Sequence, residues 1–195
     1  EYTVKVSGIK IGKLNWIIKI DETDYFTKLK LQSEGLLSGI YNFSGEYFSE
    51  GGVQDNELKP NQYNHVWKTK KIIKSMKLVF KDDKLISLNQ TPAEQERLRV
   101  DVFNIYQNKD PLTSFIQILM GETNSLVVDG RRTYTMNAVF DKKTNKTAVG
   151  ILHYLNLWTD HKRSKFEKIV FERKDGGFFP SIINIYFDGR VFRLN

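Results

Sequence analysis

Apolar and polar side chains alternate one by one along most of this chain. In "YTVKV" Val4 and Val6 alternate with Thr3 and Lys5, and in "YFTKLKLQ" Leu29 and Leu31 alternate with Lys28 and Lys30. A period of two puts every second side chain on one face of an extended strand, so this pattern calls for a sheet with one buried and one wet face. The period breaks once, at "KDPLTSFIQILMG", Lys109 to Gly121, where Leu112, Phe115, Ile116 and Leu119 recur at helical spacing. Asp110 is a good N-cap, Pro111 suits a first helical position that needs no donor, and Gly121 closes the far end in a left-handed conformation. A helix of about three turns is marginal alone in water, so it must dock its apolar face on the strands.

Before the helix, "YTVKVSGIKIGKLNWIIKI" reads as two strands around a glycine-containing bend. "GLLSGIYNFSGEYFSE" is a longer strand region punctuated by glycine, with Ile40 and Tyr41 among its bulky members. "GGVQDNELKPNQY" has turn composition, and its Pro60 suggests an edge or a loop. "YNHVWKTKKIIKSMKLVFKDDKLISLN" gives two or three strands around a turn at Asp82-Asp83. Residues 90–108 stay undecided between a short helix capped by Thr91 and a loop with a strand, the latter preferred. After the helix, "SLVVDGRRTYTMNAVFD" is a hairpin with Asp129-Gly130 at its tip. "KTAVGILHYLNLWTD" is nearly continuous in apolar residues and reads as a central strand buried on both faces. "KFEKIVFERK" alternates, "DGG" turns, and "IINIYFDGRVFRLN" forms a last hairpin around Asp188-Gly189. No repeat or low-complexity linker divides residues 1–195, so one domain is expected.

The net charge of +7 raises the question of a nucleic-acid or anionic-membrane partner. The lysines are scattered singly, and the densest cluster, "KTKKIIK", fits a strand with one lysine-rich face. Aromatics interleaved with lysines could grip a single nucleic-acid strand, but half-buried strands give the same pattern, and no nucleic acid is expected. The chain has no cysteine, which removes disulfides, thiolate metal sites and a cysteine nucleophile. No apolar run is long enough for a transmembrane helix. The sequence enters a strand pattern at Glu1 without a methionine, and the expectation is that a signal peptide has been removed.

Catalytic signatures are missing. "GIKIGKL" is one residue short of a phosphate loop and carries Leu14 at the hydroxyl position. Ser38 in "GLLSG" lacks the spacing of a nucleophile elbow. His65, His153 and His161 are too far apart for a two-histidine site on one helix. His153 reads as a core histidine within an apolar strand, and His161 as part of a polar turn. Arg131 and Arg132 are adjacent, so one is expected to face inward or pack along an edge and the other to meet solvent. A structural role for the inward one is preferred to an anion contact at a cavity mouth. No enzyme activity, catalytic residue, metal or cofactor is expected.

The order of these pieces resembles a known family. "VSGIKIGKLNWII", "GLLSGIYNF", "LKPNQY", "DPLTSFIQIL" and "VVDGRRTYTM" follow one another as in the bacterial exported family of domain of unknown function 3108. Asp110, Pro111, Leu112 and Thr113 match its helix-opening motif, and Asp129, Gly130, Arg131, Arg132 and Tyr134 match its following strand. The resemblance covers most of the chain and implies an exported, periplasmic envelope protein with no established activity.

The fold expected is mainly β: a single curved antiparallel sheet or half-open β-barrel, with the short helix at about 110–120 on its concave face. By analogy of architecture with periplasmic lipoprotein carriers, such a body holds an apolar or lipid-like ligand between sheet and helix. The residues expected to touch it are Leu112, Phe115, Ile116, Leu119, Arg131 and Arg132. The alternative is a structural or interaction component of the envelope with a filled core, its partner another envelope protein.

Overall fold

The computed structural model describes residues 1–35, 38, 42–158, 166–174 and 177–195. Seven strands precede the helix: β1 (Tyr2–Val6), β2 (Ile9–Ile20), β3 (Asp24–Ser33), β4 (Phe43–Gln54), β5 (Glu57–Thr69), β6 (Ile73–Lys81) and β7 (Lys84–Thr91). The helix α1 spans Pro111–Leu119. Six strands follow: β8 (Asn124–Val128), β9 (Arg132–Asp141), β10 (Lys146–Asn156), β11 (Phe166–Arg173), β12 (Pro180–Phe187) and β13 (Arg190–Leu194). No helix among the described residues is long and apolar enough to cross a membrane, a statement that leaves strands untouched.

All strands join one antiparallel sheet of thirteen, ordered β7-β6-β5-β4-β3-β2-β1-β13-β12-β11-β10-β9-β8. The first and last strands of the chain pair in the middle, through Val4↔Leu194 and Val6↔Phe192. The sheet does not close: β7 and β8 are its two edges. The segment between them, residues 92–123, holds no strand and carries the helix. It leans on both edges, through bridges Lys84↔Tyr106 and Lys109↔Val127. α1 touches β4 and β5 on one half and β8 and β9 on the other. The helix therefore occupies the hollow of a curled sheet, between its two halves.

The local signals explain the helix. Asp110 Oδ1 accepts from the backbone N–H of Leu112 at 2.9 Å and of Thr113 at 3.1 Å. At the other end Glu122 N–H donates to Gln117 O and Gly121 N–H to Ile118 O, with Gly121 at φ +116°, which is the Schellman arrangement. Every residue from Leu112 to Leu119 is buried, the polar Thr113, Ser114 and Gln117 included. These polar side chains find partners on the sheet: Gln117 Oε1 accepts from Leu58 N–H at 2.8 Å, and Ser125 Oγ donates to Ser114 Oγ at 2.9 Å. A helix buried along its whole length on the concave face of the sheet acts as a plug in the hollow.

Four expectations need correction. Pro60 lies in neither an edge nor a loop but inside β5, between β4 and β6. It is accommodated by a bulge at Glu50/Gly51, where a side chain on Gly51 would run into the carbonyl oxygen of Lys59. Residues 146–156 form β10, but not a strand buried on both faces: Leu152 is 46 % exposed and Leu155 41 %. His153 is exposed in the bulge between them, at φ +51°, and is not a core histidine. "KTKKIIK" is not a strand face; it is the tip of the β5–β6 hairpin. Of residues 90–108, the first two end β7, and the remainder holds a 3-10 turn at Val102–Asn104 and isolated bridges. The readings placed on Ile40, Tyr41, His161 and most of "DGG" lie outside the described residues.

Candidate functional site

α1 fills one end of the hollow and leaves the other open. There a cleft of about 570 Å³ lies between β2–β6 on one wall and β9–β12 on the other, with Pro111 and Leu112 of the helix as its floor. This volume is in the range of small-molecule sites. Alternation along the strands supplies the wall: Leu29 and Leu31 from β3, Tyr63, His65 and Trp67 from β5. Each is two residues from the next, so each points the same way from its strand.

The polar groups gather at the β8–β9 turn. Asp129 Oδ1 accepts from the backbone N–H of both Arg131 and Arg132 at 2.8 Å, and its Oδ2 pairs with Arg132 Nη1 at 3.3 Å. Gly130 (φ +86°) sits against Met76 of β6, whose sulfur occupies the place a side chain would take. This contact brings the β8–β9 turn onto the opposite half of the open sheet. Trp158 Nε1 donates to Gly130 O at 3.3 Å and holds the turn from behind.

Both arginines line the cleft, contrary to the expectation that one faces inward and the other solvent. Arg131 precedes β9 and lies in the turn, so strand alternation does not govern it. Lys74 adds a third cation. Asp129 is engaged by Arg132, which leaves a positive excess. The Arg132 Nε is buried and has no hydrogen-bond acceptor among the described residues.

Of the six residues expected at the site, Leu112, Arg131 and Arg132 meet at the cleft. Phe115, Ile116 and Leu119 lie deeper, in the packed end. Phe115 stacks on Trp16 at 5.8 Å and meets Phe171 edge-on at 5.7 Å, and Ile116 is fully buried. Sequence reasoning passed over His65, Trp67 and Lys74. The alternation Tyr63-His65-Trp67 was the signal that they share a face.

His65 is the titratable group of the wall nearest neutrality. Burial lowers its pKa below the usual 6.5; the charge of Asp129 opposes this and that of Arg131 adds to it. Tyr63 OH and His65 Nδ1 are 3.2 Å apart. A depressed folded pKa means that the unfolded chain binds the proton more readily. The stability from neutral His65 is therefore present above about pH 6.5 and is lost as pH falls through the folded pKa. The expected NMR titration of the His65 ring has its midpoint below 6.5. A midpoint at or above 6.5 would mean that the ring is solvated or paired with Asp129.

A family model described as "Protein of unknown function (DUF3108)" matches residues 1–177. No curated protein matches the chain, and no solved structure does.

Proposed function

The chain belongs to that family, whose description carries no activity, and from the cleft we propose a non-catalytic binding module of the bacterial envelope. It holds an apolar or lipid-like ligand, with any anionic end at the β8–β9 turn. One observation carries this reading: the hollow of the curled sheet is filled by α1 at one end and left as a mainly apolar cleft at the other. Removing an alkyl chain from water there is worth about 25 cal/mol per Å² of apolar surface. Arg131 and Lys74, with no carboxylate paired to them among the described residues, and the open donor of Arg132 suit a carboxylate or phosphate at the ligand's end. The periplasm is the proposed location. The packed helix end favours a second reading, an interaction protein whose hollow is only core, and this reading leaves the cleft without a purpose.

Native mass spectrometry of protein purified gently from its own host is expected to show a bound amphiphile, and a fluorescent fatty acid should bind the emptied protein. Leu31→Trp, which fills the cleft, is expected to abolish uptake. Arg131→Glu should weaken a fatty acid about tenfold and leave an uncharged alkyl probe unaffected. A clean apo mass with no uptake of either probe would sink the proposal.

A further inference from the structure

The tip of the β5–β6 hairpin carries a pattern that the cleft does not explain. Residues 68–73 are exposed in one run, and within it Ile72 is 50 % and Ile73 59 % exposed. Lys68 and Lys71 stand beside them, and Lys74 follows. From Leu58 through Lys81 the chain carries no carboxylate. Adjacent branched aliphatics standing in water among cations form an apolar-basic surface that nothing among the described residues covers.

Its position is specific. Trp67 and Lys74 face each other across the hairpin at the root of the tip, and both line the cleft. Because the sheet is antiparallel throughout, its turns fall alternately at two ends. The β5–β6 tip shares its end with the β1–β2 and β12–β13 turns, where Ile9, Phe187 and Val191 are exposed. The turns of the other end mix Asp21, Glu22, Asp55 and Asp82 with Lys142 and Lys143, all exposed. The other end also exposes Val139, Phe140, Phe178 and Phe179, and the β12–β13 turn carries the exposed Asp188, so what sets the cleft-mouth end apart is the run of lysines on the β5–β6 tip beside its exposed isoleucines.

We propose that this hairpin tip seats the mouth of the cleft on an anionic lipid bilayer. The lysines meet the head groups, and Ile72 and Ile73 enter the boundary between head groups and acyl chains. A bilayer fits better than a protein groove because the exposed apolar residues stand on turns from different parts of the sheet. A broad fluid surface meets them together. The inference goes beyond the cleft's ligand and stands without it, since vesicle binding needs no bound molecule.

The test is co-sedimentation with vesicles of phosphatidylcholine alone and of phosphatidylcholine with phosphatidylglycerol. The protein is expected to sediment with the anionic vesicles, less so as salt rises, and not with the neutral ones. Lys68→Ala and Lys71→Ala should each weaken partition about fivefold. A double Ile72→Ser/Ile73→Ser variant should weaken it further at any salt. All four side chains are exposed, so the variants should melt like the wild type and still take a fluorescent fatty acid from solution if the cleft binds one. Equal partition to neutral and anionic vesicles, no partition at all, or variants that sediment like the wild type would overturn the proposal.

Discussion

Asp110→Ala is expected to destabilise the protein by about 3–5 kcal/mol, a fall in melting temperature of roughly 10 °C for a chain of this size. Asp110 is fully buried and accepts from four donors: the backbone N–H groups of Leu112 and Thr113 and the hydroxyls of Ser49 and Thr113. The Ser49 bond is 2.8 Å long and joins the helix to β4. Tyr25 OH stands 2.6 Å from Thr113 Oγ1 and, since the threonine proton already points at Asp110, must be the donor. One carboxylate thus caps the helix and orders a chain of hydroxyls from β3 and β4. Alanine removes the cap, worth about 1 kcal/mol, and strands buried donors at about 1–3 kcal/mol each, part of which the hydroxyls recover by turning to one another. Asp110→Asn keeps an acceptor for the two N–H groups and should lose less. A loss below about 1 kcal/mol for the alanine variant, by urea unfolding, would show that the network carries little of the helix's anchorage.

The same residue has a pH signature. Burial raises the Asp110 pKa, while its hydrogen bonds from Thr113, Ser49 and Leu112 pull it down without cancelling the rise. With a raised folded pKa the native state holds the proton more firmly than the unfolded chain. The stabilisation is therefore full below the unfolded carboxylate pKa, about 3.9, and fades as pH rises through the folded value. Asp110→Asn cannot titrate, so the stability gap between wild type and Asn variant should shift in favour of the wild type as pH is lowered from 7 toward 4. An unchanged gap over that range would place the folded pKa at its ordinary value.

What the sequence disclosed and what it hid divide along a physical line. The helix was legible because its determinants are local: Asp110, Pro111 and Gly121 act within one turn of their own positions. The β8–β9 and β12–β13 hairpins were legible for the same reason, each carrying an Asp-Gly turn. Pro60 was not, because it sits beside a bulge at Asn61 whose backbone can approach β4 only where Gly51, nine residues away on the neighbouring strand, has no side chain. β10 was misread because its apolar outer residues, Leu152 and Leu155, are simply exposed, and composition cannot distinguish an exposed apolar face from a buried one. For the site, a face could be inferred but not a depth. Leu112 and Phe115 lie on one helical stripe, yet one meets the cleft and the other the packed end. That difference follows from how far the helix is inserted, which no local pattern records.

Phe115→Ala separates those two depths. It is expected to destabilise the protein by about 3–5 kcal/mol, the usual range for emptying a buried aromatic site. Phe115 loses its stack on Trp16 and its edge contact with Phe171, and the void it leaves is enclosed by α1 on one side and the sheet on the other. If the helix stripe were the wall of a ligand site, this variant would also change ligand affinity directly. The geometry puts Phe115 in the filled end, below the floor made by Pro111 and Leu112. Fatty-acid affinity, corrected for the folded fraction, should therefore stay within about twofold of wild type. Leu31→Trp should do the reverse, blocking uptake with a stability change of about 1–2 kcal/mol, since it fills open space rather than a packed core. A Phe115→Ala protein that is fully folded at low temperature yet has lost uptake would place the ligand in the helix end and overturn the division of the hollow into plug and cleft.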